Sequence, residues 1–191
     1  MAVRSVVVLD ETSEIRDILS TTHALWVYEP LSPARVLQHR LKYGGHRSLA
    51  VHLGRILGQS IRILRSSVKY FDMMVPVPVH PVRLLERGYN QADEIAHGVS
   101  DILNIPVERK ALVRHFLSES QVQNDRDERE KNLRSAFSMA PGSALAGKNI
   151  LLIDDVVTTG ATIRSAINTL SDAGVSRVGI AVLFAVPLDP V

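Results

Sequence analysis

The chain has 191 residues, 46% of them hydrophobic, with no cysteine and a formal net charge of +2. That is enough chain for one domain with a sizeable core, and it excludes disulfides and thiolate metal sites while leaving the redox compartment open. The apolar runs are too short to span a membrane. Val6–Leu9 is too short for a signal-peptide core and runs into Asp10 and Glu11, so the expectation is a cytoplasmic protein.

Val3–Leu9 reads as a short strand, Glu11–Leu19 as a helix capped by Thr12 or Ser13, and His23–Tyr28 as a second strand. Ser32-Pro33 has the form of a helix start, with Ser32 at the N-cap and Pro33 in the first turn, for a helix that stops at Gly44-Gly45. Leu49, Leu53, Ile56, Leu57, Ile61 and Leu64 then share one face of a long amphipathic helix. Arg47, Arg55, Arg62 and Arg65 lie mostly off that stripe. No Asp or Glu occurs from Pro30 to Phe71. Two readings stand side by side: an anion-facing surface, for nucleic acid or a polyphosphate, or solvated helix faces whose acids lie elsewhere in space. His39, His46 and His52 lack the spacing of a helical zinc pair, and no zinc is expected. Trp26, Tyr28, Tyr43 and Tyr89 could stack on bases, but aromatics this scattered more often sit in a core or at its rim.

Phe71–Pro78 is apolar enough for a strand that its prolines would end. A basic loop from His80 to Gln91 follows, then a helix carrying Ala92, Ile95, Ala96, Val99, Ile102 and Leu103 inward. Ala111–Leu117 is another strand candidate. Ser118–Asn132 is a long polar segment with nothing to anchor a core, and reads as a loop and candidate closing lid. Ala136–Met139 reads as a short strand before a turn at Pro141-Gly142, and Arg177–Val186 as the last strand. From Phe71 onward strands alternate with helices, which implies right-handed crossovers, a largely parallel sheet, and a ligand at the C-terminal strand ends.

The most informative stretch is Asn149–Thr162. Ile150–Ile153 is an unbroken apolar run, as in a strand buried on both faces, and Asp154 and Asp155 close it. Thr158, Thr159, Gly160 and Thr162 then open a helix with Ile163, Ala166, Ile167 and Leu170 on one face and Gly174 placed to end it. A small-residue loop at a helix start offers free N–H groups and hydroxyls to a phosphate, while adjacent carboxylates upstream accept from a vicinal diol. Together they describe a site for a ribose 5-phosphate. Neither G-x-x-x-x-G-K-[ST] nor G-x-G-x-x-G is present.

Ile150–Thr162 resembles the PRPP-binding signature of the type I phosphoribosyltransferases: four apolar residues, two acids, two small or apolar residues, then Thr-Thr-Gly-Ala-Thr. The rest of the chain resembles the ComF family of phosphoribosyltransferase-like proteins. The matching blocks are Val75–Pro81 with Arg83 and Arg87–Ala92; Gln121, Arg129, Asn132–Arg134 and Ala136-Phe137; and Lys42-Tyr43, Gly45 and Leu49-Ala50. Two departures stand out. Family members commonly begin with a four-cysteine zinc module, absent from a chain without cysteine, and His46 stands where an acid is common.

The resemblance implies an α/β type I phosphoribosyltransferase fold, with a mostly parallel central sheet flanked by helices. It further implies a small N-terminal hood over about residues 1–70 and a PRPP-binding core over about 71–191 of a single domain. It assigns the ribose hydroxyls to Asp154 and Asp155, and the 5-phosphate to the loop Val157, Thr158, Thr159, Gly160, Ala161 and Thr162. Mg²⁺ is expected at Asp154 and Asp155, indirectly through ribose or water. His80, Arg83 and Arg87 belong to the candidate pyrophosphate loop, and Arg126, Arg129 and Lys131 are candidate catalytic contacts to the leaving group. Three functions remain open: transfer to an unknown acceptor, a non-catalytic PRPP-binding adaptor, and a protein handling single-stranded DNA in natural competence. For the last, Arg47, Arg55, Arg62 and Arg65 are the candidate contacts, and competence or DNA-processing proteins the candidate partners. A homodimer is left open.

Overall fold

The computed structural model describes residues 15, 18–27, 34–43, 45–64, 70–115 and 136–186. The expected strand Val3–Leu9, the Ser32-Pro33 helix start, Tyr28, Arg65 and the segment Ser118–Asn132 with Arg126, Arg129 and Lys131 lie outside the described residues, as does most of the expected helix Glu11–Leu19.

Four strands build the main sheet: β1 (Leu19–Val27), β2 (Met73–Pro76), β5 (Asn149–Val157) and β6 (Arg177–Ala185), in the order β1-β6-β5-β2 and all parallel. The helices are α1 (Ala34–Tyr43), α2 (Arg47–Ile63), α3 (Pro81–Arg87), α4 (Gln91–Leu103) and α5 (Ala161–Asp172). The two central strands are sealed on both faces, which is why Ile150–Ile153 and most of β6 are continuously apolar. Ile150, Leu152, Val178 and Ile180 pack with Ile163, Ala166, Ile167 and Leu170 of α5. Leu151, Ile153, Ala181 and Leu183 pack on the other face with Leu53, Leu57 and Ile61 of α2 and Ile95, Ala96 and Val99 of α4. Helices α2 and α4 cross at glycines: a Cβ on Gly98 would collide with the Val51 carbonyl oxygen, and one on Gly54 with that of Ile95.

Several expectations change in detail. The acids Asp154 and Asp155 do not end β5. The strand runs on to Val157, because β6 continues alongside it and Asp154 faces Val182 in register. Leu19, expected at a helix end, begins β1, which lies in the stretch read as hood yet pairs with β6 in the main sheet. The basic loop after β2 contains a helical turn and more, α3, because His80 caps it and Pro81 sits in its first turn. The candidates Ala111–Leu117 and Ala136–Met139 shorten to β3 (Leu112–Arg114) and β4 (Phe137–Met139), an antiparallel pair separate from the parallel sheet. Among the described residues, no helix is long and apolar enough to cross a membrane.

The connections locate the site. After β2 the chain passes to α4 on one face, and after β5 to α5 on the other. Adjacent strands whose connections leave for opposite faces open a crevice at their C-terminal ends.

Candidate functional site

A cleft of about 660 Å³ opens at that crevice. Its floor is Asp154 and Asp155 of β5; its walls come from Lys42 at the end of α1, Val77–His80 after β2, α3, the start of α4, and Arg114 of β3. Thr158 and Thr162 close the side nearest α5.

The two carboxylates are held close by the strand. The Asp155 N–H donates to Asp154 Oδ1 at 2.8 Å, while Asp155 Oδ2 is buried and receives no hydrogen bond. Each residue keeps some surface open to the cleft, but the carboxyls lie deep among protein atoms. Burial raises the pKa of Asp154 well above the carboxylate range, the charge of Asp155 adds to that, and Arg114 opposes it. Burial also raises Asp155, against the opposing charges of Lys42 and Arg87. Two buried acids with an orphaned oxygen form an incomplete site. A hydroxyl donor or a hydrated cation would complete it. Among the described residues no group of three or more His, Cys, Asp or Glu is placed to hold a metal ion. A cation at Asp154 and Asp155 would therefore take most of its ligands from water and from a bound molecule. Mg²⁺ binds in that manner, so the donor set fits it.

The loop between β5 and α5 is shaped by Gly160, the N-cap residue of α5, at φ 74° and ψ 0°. That left-handed backbone is natural for glycine and strained for other residues. No side chain caps the helix in the usual manner. The Thr159 hydroxyl approaches the Ala161 N–H at 3.5 Å, and Arg164 donates to the Thr159 carbonyl at 2.9 Å. The first N–H groups of α5 thus remain available to an anion. Thr158 and Thr159 are exposed, whereas Val157 is buried and its side chain belongs to the core.

Opposite this loop, the His80 ring accepts from the Val82 N–H and caps α3, none of whose residues is buried. Arg83 pairs with Glu86 at 2.9 Å on the surface. Arg87 donates to Gln91 Oε1 at 3.1 Å and lies over the Tyr43 ring, while its Nε is buried with no hydrogen bond. Asn90 ties the wall to the sheet: its amide donates to the Val77 carbonyl and its oxygen caps α4 at Ala92.

Two cleft cations carry no role in the sequence reading. Arg114 donates to the Pro78 carbonyl at 3.4 Å and lies over the Phe137 ring, which sets it beside Asp154. Nothing in its sequence context marks it, because the β3–β4 pairing that aims it is non-local. Lys42 faces Asp155 from α1; its signals in the sequence are the Lys42-Tyr43 block and its place in the acid-free stretch from Pro30 to Phe71.

The basic-face residues go elsewhere. Arg55 pairs with Asp101 of α4 at 2.8 Å, Arg47 donates to the Gly88 carbonyl and lies over Tyr89, and Arg62 is exposed. Of the aromatics, Trp26 stacks on Phe184, Tyr89 is buried, and Tyr43 is exposed at the end of α1.

The model of the phosphoribosyl transferase domain family matches residues 84–190. The chain belongs to that family. Its resemblance to the ComF proteins is borne out by two relatives. Competence protein F of Haemophilus influenzae is 29% identical over 78% of this chain and 67% of its own length. Competence protein ComFC of Bacillus subtilis is 33% identical over 56% of this chain and 40% of its own length. Among solved structures, the allosteric regulatory enzyme of purine biosynthesis superposes with a TM-score of 0.51 and 24% identity, over 71% of this chain and 25% of that one. The fold is that of the type I phosphoribosyltransferases, a mostly parallel sheet flanked by helices. The chain spans two thirds of competence protein F, and much smaller shares of ComFC and of the purine-biosynthesis enzyme.

Proposed function

We propose that the cleft binds phosphoribosyl pyrophosphate with Mg²⁺ and that the protein transfers the phosphoribosyl group to an acceptor. One observation carries this reading: the two buried carboxylates and the uncapped start of α5 flank one cleft at the switch point of the sheet. In the proposed pose Asp154 and Asp155 accept from the ribose hydroxyls. Thr158, Thr159 and Thr162, with the N–H groups of Gly160 and Ala161, hold the 5-phosphate. His80, Arg83 and Arg87 face the pyrophosphate. Transfer breaks the bond between C1 and the pyrophosphate oxygen and forms one between C1 and the acceptor. The leaving oxygen gains negative charge, which fixed cations on the wall stabilise without reorganising. Mg²⁺, when bound, supplies charge neutralisation at the diol and pyrophosphate. The deep carboxyls stabilise positive charge growing on the ribose ring while the walls limit water.

The test is thermal unfolding with and without PRPP and Mg²⁺, for the wild type and for Asp154→Asn/Asp155→Asn. At ligand near 100-fold over Kd, about 2.7 kcal/mol of stabilisation is expected, a rise of roughly 5–10 °C for a domain of this size. The double variant should show none. No Mg²⁺-dependent rise in the wild type, or an equal rise in the variant, rejects the reading. Pyrophosphate release over a panel of acceptors then separates transfer from binding alone. The names of the two competence relatives support a second reading, a role in competence with DNA-processing partners. Single-stranded DNA binding that weakens steeply with salt would be its sign.

A further inference from the structure

Lys42 sits in the last turn of α1, next to Leu41, whose side chain is fully buried. The carbonyls of a last helical turn lack partners within their own helix. That of Leu41 receives two donors from one neighbouring segment, the Tyr89 hydroxyl and the Gln91 amide at 3.1 Å. Both donors are buried: Gln91 opens α4 and Tyr89 sits just before its N-cap, Asn90. The backbone beside Lys42 is therefore clamped to the wall of the cleft. A lysine at a helix end ordinarily rests in water near the negative end of the dipole; Lys42 instead lines the cleft and faces Asp155.

The other wall cations are engaged. Arg83 holds Glu86, Arg87 holds Gln91, and Arg114 holds the Pro78 carbonyl. Lys42 makes no hydrogen bond or ion pair with any described residue, although it shares the cleft with two acids. The Arg87 guanidinium lies 5.9 Å from the centre of the ring of Tyr43, the residue after Lys42, so the ends of α1 and α3 meet there. Thr158 and the start of α5 border the cleft from a different element.

We infer that Lys42 is a ligand contact, which together with Arg87 grips the pyrophosphate group of the bound molecule and is held in place by Tyr89 and Gln91 through the Leu41 carbonyl. This rests on the phosphoribosyl pyrophosphate reading of the cleft. It adds a cation that no signature residue supplies, delivered by the N-terminal helices, and it distinguishes the pyrophosphate end of the ligand from the 5-phosphate end.

The experiment is calorimetric titration of wild type, Lys42→Gln and Lys42→Arg with three probes in Mg²⁺: phosphoribosyl pyrophosphate, ribose 5-phosphate and inorganic pyrophosphate. Lys42→Gln should lose about tenfold or more in affinity for the two pyrophosphate probes, the value of one charge-assisted contact. It should change less than about twofold for ribose 5-phosphate, whose retained binding also reports an intact fold. Lys42→Arg, keeping the charge, should recover most of the loss. Unchanged affinity for the pyrophosphate probes in Lys42→Gln overturns the inference. So does an equal loss for ribose 5-phosphate, since the lysine would then shape the cleft as a whole. Wild type that binds none of the probes overturns the underlying reading and this inference with it. A wild type that binds them all, with an indifferent Lys42→Gln, overturns the inference alone.

Discussion

Asp93 shows how burial can override a favourable local position. It lies in the first turn of α4, where the helix dipole favours an anion, and Asn90 and Arg109 both favour its charge. Burial nevertheless pushes its pKa up from 3.8 to about 6, and Oδ1 has no hydrogen-bond partner. The folded chain therefore holds the proton more tightly than the unfolded chain, so this group makes stability fall as pH rises from 3.8 through 6. Asp93→Asn should raise stability at pH 7.5 by about 1–2 kcal/mol, less than the ~3 of two full pKa units because the group is partly solvated. The gain should fade toward pH 4. Urea titrations at the two pH values check this, and a loss at pH 7.5 would mean the carboxylate is better satisfied than its burial implies. At the same scale, the sequence showed Asp154 to Thr162 clearly because all are consecutive and their types are rare together. It left Arg114 unmarked, since an arginine on a three-residue strand acquires its place only from Pro78 and Phe137, far off in the chain.

At the scale of elements, the crossing of α2 and α4 decides how closely the walls of the cleft approach the sheet. Gly98 leaves no room for a methyl group: its Cβ would meet the Val51 carbonyl, with the Arg55 nitrogen at 2.8 Å, all backbone that cannot yield without separating the helices. Gly98→Ala should cost about 2–4 kcal/mol, even after the ~1 kcal/mol helix-propensity gain of alanine. Gly58 lies on α2, where an added Cβ would meet the Ile102 Cβ at 3.0 Å and the Val99 carbonyl oxygen at 3.2 Å, contacts relieved by a few tenths of an ångström rather than by separating the helices. Gly58→Ala should cost less than about 1 kcal/mol. Equal melting temperatures for the two variants would show that the crossing tolerates spreading. Apolar periodicity was sufficient to predict both helices, since Leu53, Leu57 and Ile61 recur at helical spacing. It could not reveal that glycines set their distance. Nor could it place α3: a helix with no buried residue has no apolar stripe, and only the His80 cap, Pro81 and the terminal Gly88 define it.

Across the whole molecule, four separate elements deliver opposite charges to one cleft: acids from β5, cations from α1, α3 and β3. The parallel order around β5 and β6 was readable from their long apolar runs, which only a doubly covered sheet accommodates. The antiparallel β3–β4 pairing was not: both segments read as strands, but three residues each carry too little pattern to say which strand they pair with. The charge arrangement sets a pH signature for the protein as a whole. Burial raises both Asp154 and Asp155, so the free protein holds protons there that the unfolded chain releases, and its stability falls as pH rises through that range. A ribose diol with Mg²⁺ engages the ionised carboxylates and must displace those protons, so affinity for Mg²⁺ and phosphoribosyl pyrophosphate should rise with pH over the same range. The two trends run in opposite directions. As pH rises above the ordinary carboxylate range, the melting temperature of the free protein should fall while the increment from ligand grows. Calorimetry in buffers of different ionisation enthalpy should show net proton release on binding, lost in Asp154→Asn/Asp155→Asn. Ligand binding that strengthens on acidification would place the negative charge that matters on the ligand, and the buried pair would then act as a neutral hydrogen-bonding floor.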